Sequence, residues 1–70
     1  MTCIFTKIKE LTEITTQEIK QKGIYGYAMI TLMFDNVEKV FGKNINQDLE
    51  NQIIMRLCDN LERNNIRLSI

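Results

Sequence analysis

The sequence has no histidine and no proline, and only two of its 70 residues are cysteines. Without histidine, the chain lacks the side chain that proteins use most often as a general base or metal ligand. Cys3 and Cys58 do not have Cys-x-x-Cys spacing, so the sequence predicts two reduced thiols rather than a zinc site or a disulfide. We expect no metal and no cofactor.

The sequence also has no excess of either charge and no long apolar run. Nine Lys and Arg residues balance nine Asp and Glu residues, which argues against broad electrostatic binding to nucleic acid or an anionic membrane. The longest apolar run, residues 27–34, is interrupted by Thr31 and is far shorter than the about 20 residues of a membrane span. No N-terminal stretch is typical of a signal peptide. We therefore expect a soluble cytoplasmic protein with no membrane partner.

The residues that are present have the composition of a folding chain, with 44% hydrophobic residues, 26% charged residues and eleven isoleucines. The length predicts one small domain over residues 1–70. A chain this short buries only about 60% of its unfolded surface, so its core is marginal.

The clearest predicted element is a helix over residues 47–63. Asn46 is a plausible N-cap, and Asn64 and Asn65 tolerate the left-handed conformation that ends a helix. Apolar residues recur at helical spacing, and they predict the inward face of this helix: Leu49, Ile53, Ile54, Leu57, Cys58 and Leu61.

The middle segment predicts a helix over residues 25–41 that Gly42 ends. One stripe at helical spacing predicts its buried face: Tyr27, Ile30, Phe34, Val37 and Phe41. On this interpretation Phe34→Ala costs about 3–5 kcal/mol of stability. A buried strand over residues 24–34 is the alternative, because short apolar runs do not separate the two structures.

The first segment predicts a helix over residues 8–22, with Ile8, Leu11, Thr15 and Ile19 inward and Gly23 at its end. The pattern Thr15-Thr16-Gln17-Glu18 is also that of a capping box, which would start the helix late. The predicted fold is thus a mainly α, three-helix domain. Short strands at residues 3–8 and 66–70 remain open.

No pattern in the sequence points to catalysis. Two pairs of carboxylates at i, i+3 spacing, Glu10 with Glu13 and Asp59 with Glu62, are interpreted as solvated helix faces. The segment Gly23–Gly26 lacks the third glycine and the Lys-Ser/Thr pair of phosphate-binding loops. The sequence predicts that the protein is not an enzyme.

Several apolar residues fall outside the stripe that each predicted helix needs for a common core. A small domain has little interior in which to bury such a surplus, and symmetric pairing is the commonest way to cover it. The surplus predicts a homodimer, and it consists of these residues: Ile14, Met29, Leu32, Met33 and Ile54.

The predicted function is that of a small regulator, adaptor or inhibitor that docks on another protein. The predicted partner-binding residues are Tyr25, Gly26, Met29 and Met33, because tyrosine and methionine are common at protein contacts and functional contacts favour loops. Core filling is the alternative for the two methionines. For the glycines, the alternative is that they only end one helix and start the next.

A dimeric DNA-binding repressor or antitoxin is the alternative function. In a ribbon-helix-helix arrangement, residues 3–8 would pair across a dimer, with Thr6 and Lys7 or Lys9 facing the groove. In a helix-turn-helix arrangement, the helix from Tyr25 would enter the major groove. That helix begins with apolar residues rather than the Arg, Lys, Asn or Gln that read base edges, so nucleic acid is not the favoured partner.

The segment Gly26-Tyr27-Ala28-Met29-Ile30-Thr31-Leu32-Met33, followed by a loop and the amphipathic helix from Gln47, resembles small helical connector proteins of the biofilm-regulator type. The resemblance covers about half of the chain, and its pattern is generic. No functional residue is inferred from it.

Overall fold

A computed structural model describes residues 3–67, which contain three helices: α1 (Ile4–Lys22), α2 (Tyr27–Phe41) and α3 (Gln47–Arg63). The predicted mainly α, three-helix fold is confirmed. There is no strand within residues 3–67, so the strand alternatives at residues 3–8 and 24–34 are wrong. Residues 66–67 have no regular structure, and the rest of the proposed strand at 66–70 lies outside the described residues.

Helix α1 is one continuous helix that begins earlier than the prediction placed it, at Ile4. The capping-box pattern at residues 15–18 therefore does not start a helix. Threonine is a poor helix former in isolation, but Thr12 donates a hydrogen bond to the Ile8 carbonyl at 2.7 Å. Thr15 and Thr16 are buried and accept hydrogen bonds from the other two helices. Tertiary contacts thus compensate for the low propensity of these threonines.

The predicted cap residues occupy the helix ends. Gly23 ends α1 with φ 64°, and the Ile24 N–H donates to the Ile19 carbonyl at 3.1 Å. Asn65 has φ 61° after α3, and the Ile66 N–H donates to the Leu61 carbonyl at 2.9 Å. Both ends therefore use a left-handed residue followed by an isoleucine that packs against the core, as in a Schellman motif.

The contacts between α1 and α2 define an antiparallel helical hairpin. Asn36 bonds Thr15 near the middle of both helices, whereas the Lys7 Nζ lies 5.9 Å from the centre of the Phe41 ring at the other end. Helix α3 packs on both members of this hairpin. The three helices enclose one core: Ile8, Leu11, Ile19, Met29, Met33, Val37, Ile53, Leu57 and Leu61.

The predicted buried stripe of α2 is wrong for its first half. Tyr27 is 72% exposed, and Ile30 and Phe34 are only partly buried and do not pack against the core. The residues buried instead are Met29 and Met33, followed by Val37. Both stripes have helical spacing, so spacing alone does not choose between them; in the observed rotation the buried face of α2 also carries Asn36, which hydrogen-bonds to Thr15 and Glu18 of α1.

The surplus of apolar residues that predicted a dimer is mostly absorbed by the core. Met29 and Met33 are buried, and Leu32 and Ile54 pack against the core from its edge. Only Ile14 remains largely exposed, at 64%. The homodimer therefore stays a prediction that now depends on fewer residues.

Candidate docking surface

The structure separates the four residues that the sequence proposed for partner binding. Tyr25 lies in the turn between α1 and α2 and is 77% exposed, and Gly26 is the N-cap of α2. Met29 and Met33 are 0% and 1% exposed. The two methionines are core residues and do not belong to any surface of this fold, because the rotation of α2 turns them toward α1 and α3.

The turn from Gly23 to Gly26 has a backbone that favours glycine at its start and requires it at its end. Gly23 is left-handed, and Gly26 has φ 65° and ψ −140°, a region that residues with a Cβ essentially never occupy. The Met29 N–H donates to the Gly26 carbonyl at 3.1 Å, which starts α2. The glycines thus end one helix and start the next, and this geometry holds Tyr25 outward between them.

An apolar surface lies on the outside of α2, and three of its four residues belong to the stripe that helical spacing predicts to be buried. We call Tyr25, Tyr27, Ile30 and Phe34 the outer stripe. Its three helical members have i, i+3, i+7 spacing and lie roughly a third of a turn around α2 from the buried face. Periodicity had found these residues but had given them the wrong role.

The chemistry of the outer stripe is aromatic and aliphatic, and it ends in one acid. None of its four residues carries a charge at neutral pH, and both tyrosines expose most of their surface. Glu38, one turn after Phe34, continues the same face with a carboxylate. Tyrosine and phenylalanine supply large contact areas, and the phenolic hydroxyls can hydrogen-bond at the edge of an interface.

Two buried or half-buried amides connect helices, a third closes the end of α3, and the sequence pattern predicts none of them. The Asn36 Nδ2 donates to the Thr15 Oγ1 at 2.9 Å and to the Glu18 Oε1 at 3.4 Å. The Asn60 Nδ2 donates to the Thr16 Oγ1 at 2.7 Å, and the Asn64 Nδ2 donates to the Asn60 carbonyl at 2.7 Å. The adjacent pair of inward threonines in α1 was the available signal, because buried hydroxyls need partners.

Two titratable groups have shifted pKa values with identifiable causes. Hydrogen bonds from Lys22 and Asn36 lower the pKa of the half-buried Glu18 carboxyl below its ordinary value. Partial burial raises the pKa of the Cys58 thiol, and the nearby Asp59 and Glu62 carboxylates add to this effect. A raised pKa keeps this thiol protonated at neutral pH, which lowers its nucleophilicity.

The described part of the chain contains no cluster of three or more cysteine or acidic residues that could hold a metal ion. Cys3 and Cys58 are both free thiols. Within residues 3–67, none of the helices has the length and the apolar character needed to cross a membrane.

No protein-family model, curated protein or solved structure matches this chain. Its functional interpretation therefore depends on its own residues.

Proposed function

We propose that this protein is a small non-enzymatic regulator, adaptor or inhibitor that docks on another protein and acts as a homodimer. The observation that carries the docking proposal is the outer stripe of α2, in which Tyr25 and Tyr27 expose most of their surface and Ile30 and Phe34 expose part of theirs. Apolar surface of this kind often marks a protein contact.

The chemistry of the stripe indicates the kind of partner. An apolar groove or helix face would cover Tyr27, Ile30 and Phe34, and a basic residue on the partner would pair with Glu38. Tyr25 projects from a turn held by hydrogen bonds at both ends, so little ordering would be required when it binds.

Of the two DNA-binding arrangements, the ribbon-helix-helix one does not fit the observed start of α1. A ribbon-helix-helix dimer needs a strand at residues 3–8, but α1 already begins at Ile4. The helix-turn-helix arrangement would require the start of α2 to read base edges, and Met29 in its first turn is buried in the core. No contact among the described residues favours nucleic acid.

The test compares the wild-type chain with the double variant Tyr25→Ala/Tyr27→Ala as bait in a lysate of the source cells. Gln17→Ala and Gln21→Ala are matched controls, because both are exposed polar residues of α1. We expect the wild type and the controls to retain the same protein and the double variant to lose it. With that protein purified, each tyrosine variant should weaken binding by about 1–3 kcal/mol, or about 5- to 150-fold.

The melting temperature of each variant should stay close to that of the wild type, because both tyrosines are exposed. Equal retention of the partner by all variants would show that the outer stripe is not the docking surface. Salt-sensitive binding to random duplex DNA would instead support the DNA-binding alternative.

A further inference from the structure

A second partly apolar surface lies on the other side of α2, in the groove between α1 and α2. The groove has a volume of about 430 Å³. Leu11 forms its buried floor, whereas Ile14 and Val40 beside it are 64% and 41% exposed. Ile14 is also the one residue of the apolar surplus that the core does not absorb.

The residues of α1 along this groove have a symmetric spacing. Lys7, Leu11, Ile14 and Glu18 follow one another at intervals of four, three and four residues, so their spacing is the same in both chain directions. If a second copy of α1 packs antiparallel about a two-fold axis between positions 12 and 13, Lys7 lies opposite Glu18 of the other copy. Leu11 then lies opposite Ile14 of the other copy.

This arrangement would place opposite charges next to each other and apolar residues against apolar residues. The exposed Ile14 of each copy would enter the other groove above Leu11 and beside Val40. Lys7 of each copy would meet the Glu18 carboxylate, which lines the groove, accepts a hydrogen bond from Asn36 through one oxygen and pairs with Lys22 of its own helix through the other at 3.0 Å. Lys39 and Glu10 complete a surface with two positive and two negative groups, as a self-complementary interface requires.

The size of the surface fits a weak dimer. The bundle is 33 Å long, and the contact along residues 7–18 of α1 covers about 16 Å of it. A contact of this length lies at or below the low end of the range for specific interfaces, which is about 1,200 Å² in total. A concentration-dependent dimer is therefore expected rather than an obligate one.

We infer that the groove between α1 and α2 is the homodimer interface and that a second copy of this chain occupies it, with Lys7 of each copy paired to Glu18 of the other. This inference rests on the homodimer part of the proposed function. It leaves the outer stripe free for a different protein, because Tyr27 and the groove lie on different sides of α2.

A charge-exchange experiment tests the inference directly. Lys7 and Glu18 are eleven residues apart, about 16 Å along one helix, and cannot pair within one copy of α1. We expect Lys7→Glu and Glu18→Lys each to weaken dimerisation by about tenfold, since the two-fold axis places each altered pair in the interface twice. The double variant should restore the dimer to within about threefold of the wild type, because the pair is only reversed.

The controls make the same charge changes on the solvent face of α1. Lys20→Glu and Glu13→Lys are matched to the test variants, and they should leave the dimer unchanged.

A second pair of variants tests the apolar contact. Ile14→Asp should abolish the dimer, whereas Met55→Asp, at a residue of similar exposure on α3, should not. Ile14→Asp also keeps the inference testable if Glu18→Lys unfolds the chain by removing the bond to Asn36.

Sedimentation equilibrium from micromolar to near-millimolar concentration measures the dimer, and circular dichroism checks the fold of each variant. A wild-type dimer that the groove variants do not weaken would overturn the assignment of this interface while leaving the homodimer itself intact. A wild-type chain that stays monomeric throughout would overturn both. Weakening by the single variants without restoration in the double variant would overturn the Lys7–Glu18 pairing.

Discussion

Asn36 is the buried polar residue that links α2 to α1. Its side chain is 8% exposed and donates hydrogen bonds to two residues of α1, Thr15 and Glu18. A buried amide of this kind adds to the preference for the observed rotation of α2, because a rotation that kept Asn36 buried away from Thr15 and Glu18 would leave its amide without partners. In the observed rotation Met29 and Met33 face inward and Tyr27 faces outward.

We expect Asn36→Ala to destabilise the protein by about 1–3 kcal/mol, because the variant leaves the buried Thr15 hydroxyl without its donor. Urea unfolding followed by circular dichroism measures this change. Asn51→Ala is the matched control, since Asn51 is exposed on α3. The variant should also raise the pKa of Glu18 toward its ordinary value, because one of the two hydrogen bonds that lower it is lost. Equal stabilities for the two variants would contradict this role of Asn36.

The predicted partner-binding residues show how far the burial of a single residue can be predicted from the sequence. Tyr25 was identified as outward because it precedes the apolar pattern, and the structure exposes it. For Met29 and Met33 the sequence leaves two interpretations open, partner binding and core filling, and the structure has them in the core. Helix α2 contains two apolar stripes, and composition alone does not say which of them faces the core. The observed buried face also carries Asn36, whose partners lie 18 and 21 residues earlier in the chain.

At the level of the elements, α3 is the helix whose bounds, caps and buried face the sequence predicts most completely. Its apolar positions, its N-cap and its left-handed end were all predicted, and the structure has each of them. Helix α3 has one apolar stripe, so its periodicity had a single solution. The start of α1 at Ile4 was missed because no Ser, Thr, Asp or Asn occupies its N-cap position, which is Cys3.

The N-cap of α3 supplies a prediction at this scale. The Asn46 Oδ1 accepts hydrogen bonds from the N–H groups of Asp48 at 2.9 Å and Leu49 at 3.2 Å. We expect Asn46→Ala to lower the free energy of unfolding by about 1 kcal/mol, because two N–H groups of the first turn lose their acceptor. Asn44→Ala, in the same exposed loop, is the control. A loss of the same size in thermal melts of both variants would show that the cap does not stabilise α3.

At the scale of the whole molecule, nine buried apolar residues form the core of residues 3–67, the part of the 70-residue chain that the structure describes. A domain of this length has about 4 to 10 kcal/mol of stability in total. Three amide side chains add polar links between and at the ends of the helices, so the fold depends on hydrogen bonds as well as on apolar burial. The sequence predicted three helices and a marginal core, but the arrangement of their faces required these long-range contacts.

Substitutions at two methionines test whether the buried face of α2 has been identified correctly. Met33 is 1% exposed in α2, whereas Met55 is 67% exposed in α3. We expect Met33→Ala to cost about 2–5 kcal/mol, because it leaves a cavity among the buried residues, and Met55→Ala to change stability by less than about 0.5 kcal/mol. Since the first loss is a large share of the total, the Met33 variant should be partly unfolded near body temperature in a calorimetric or urea melt. Similar losses for both variants would mean that α2 is rotated toward the stripe of Tyr27, Ile30 and Phe34, and the docking surface proposed on that stripe would then be buried.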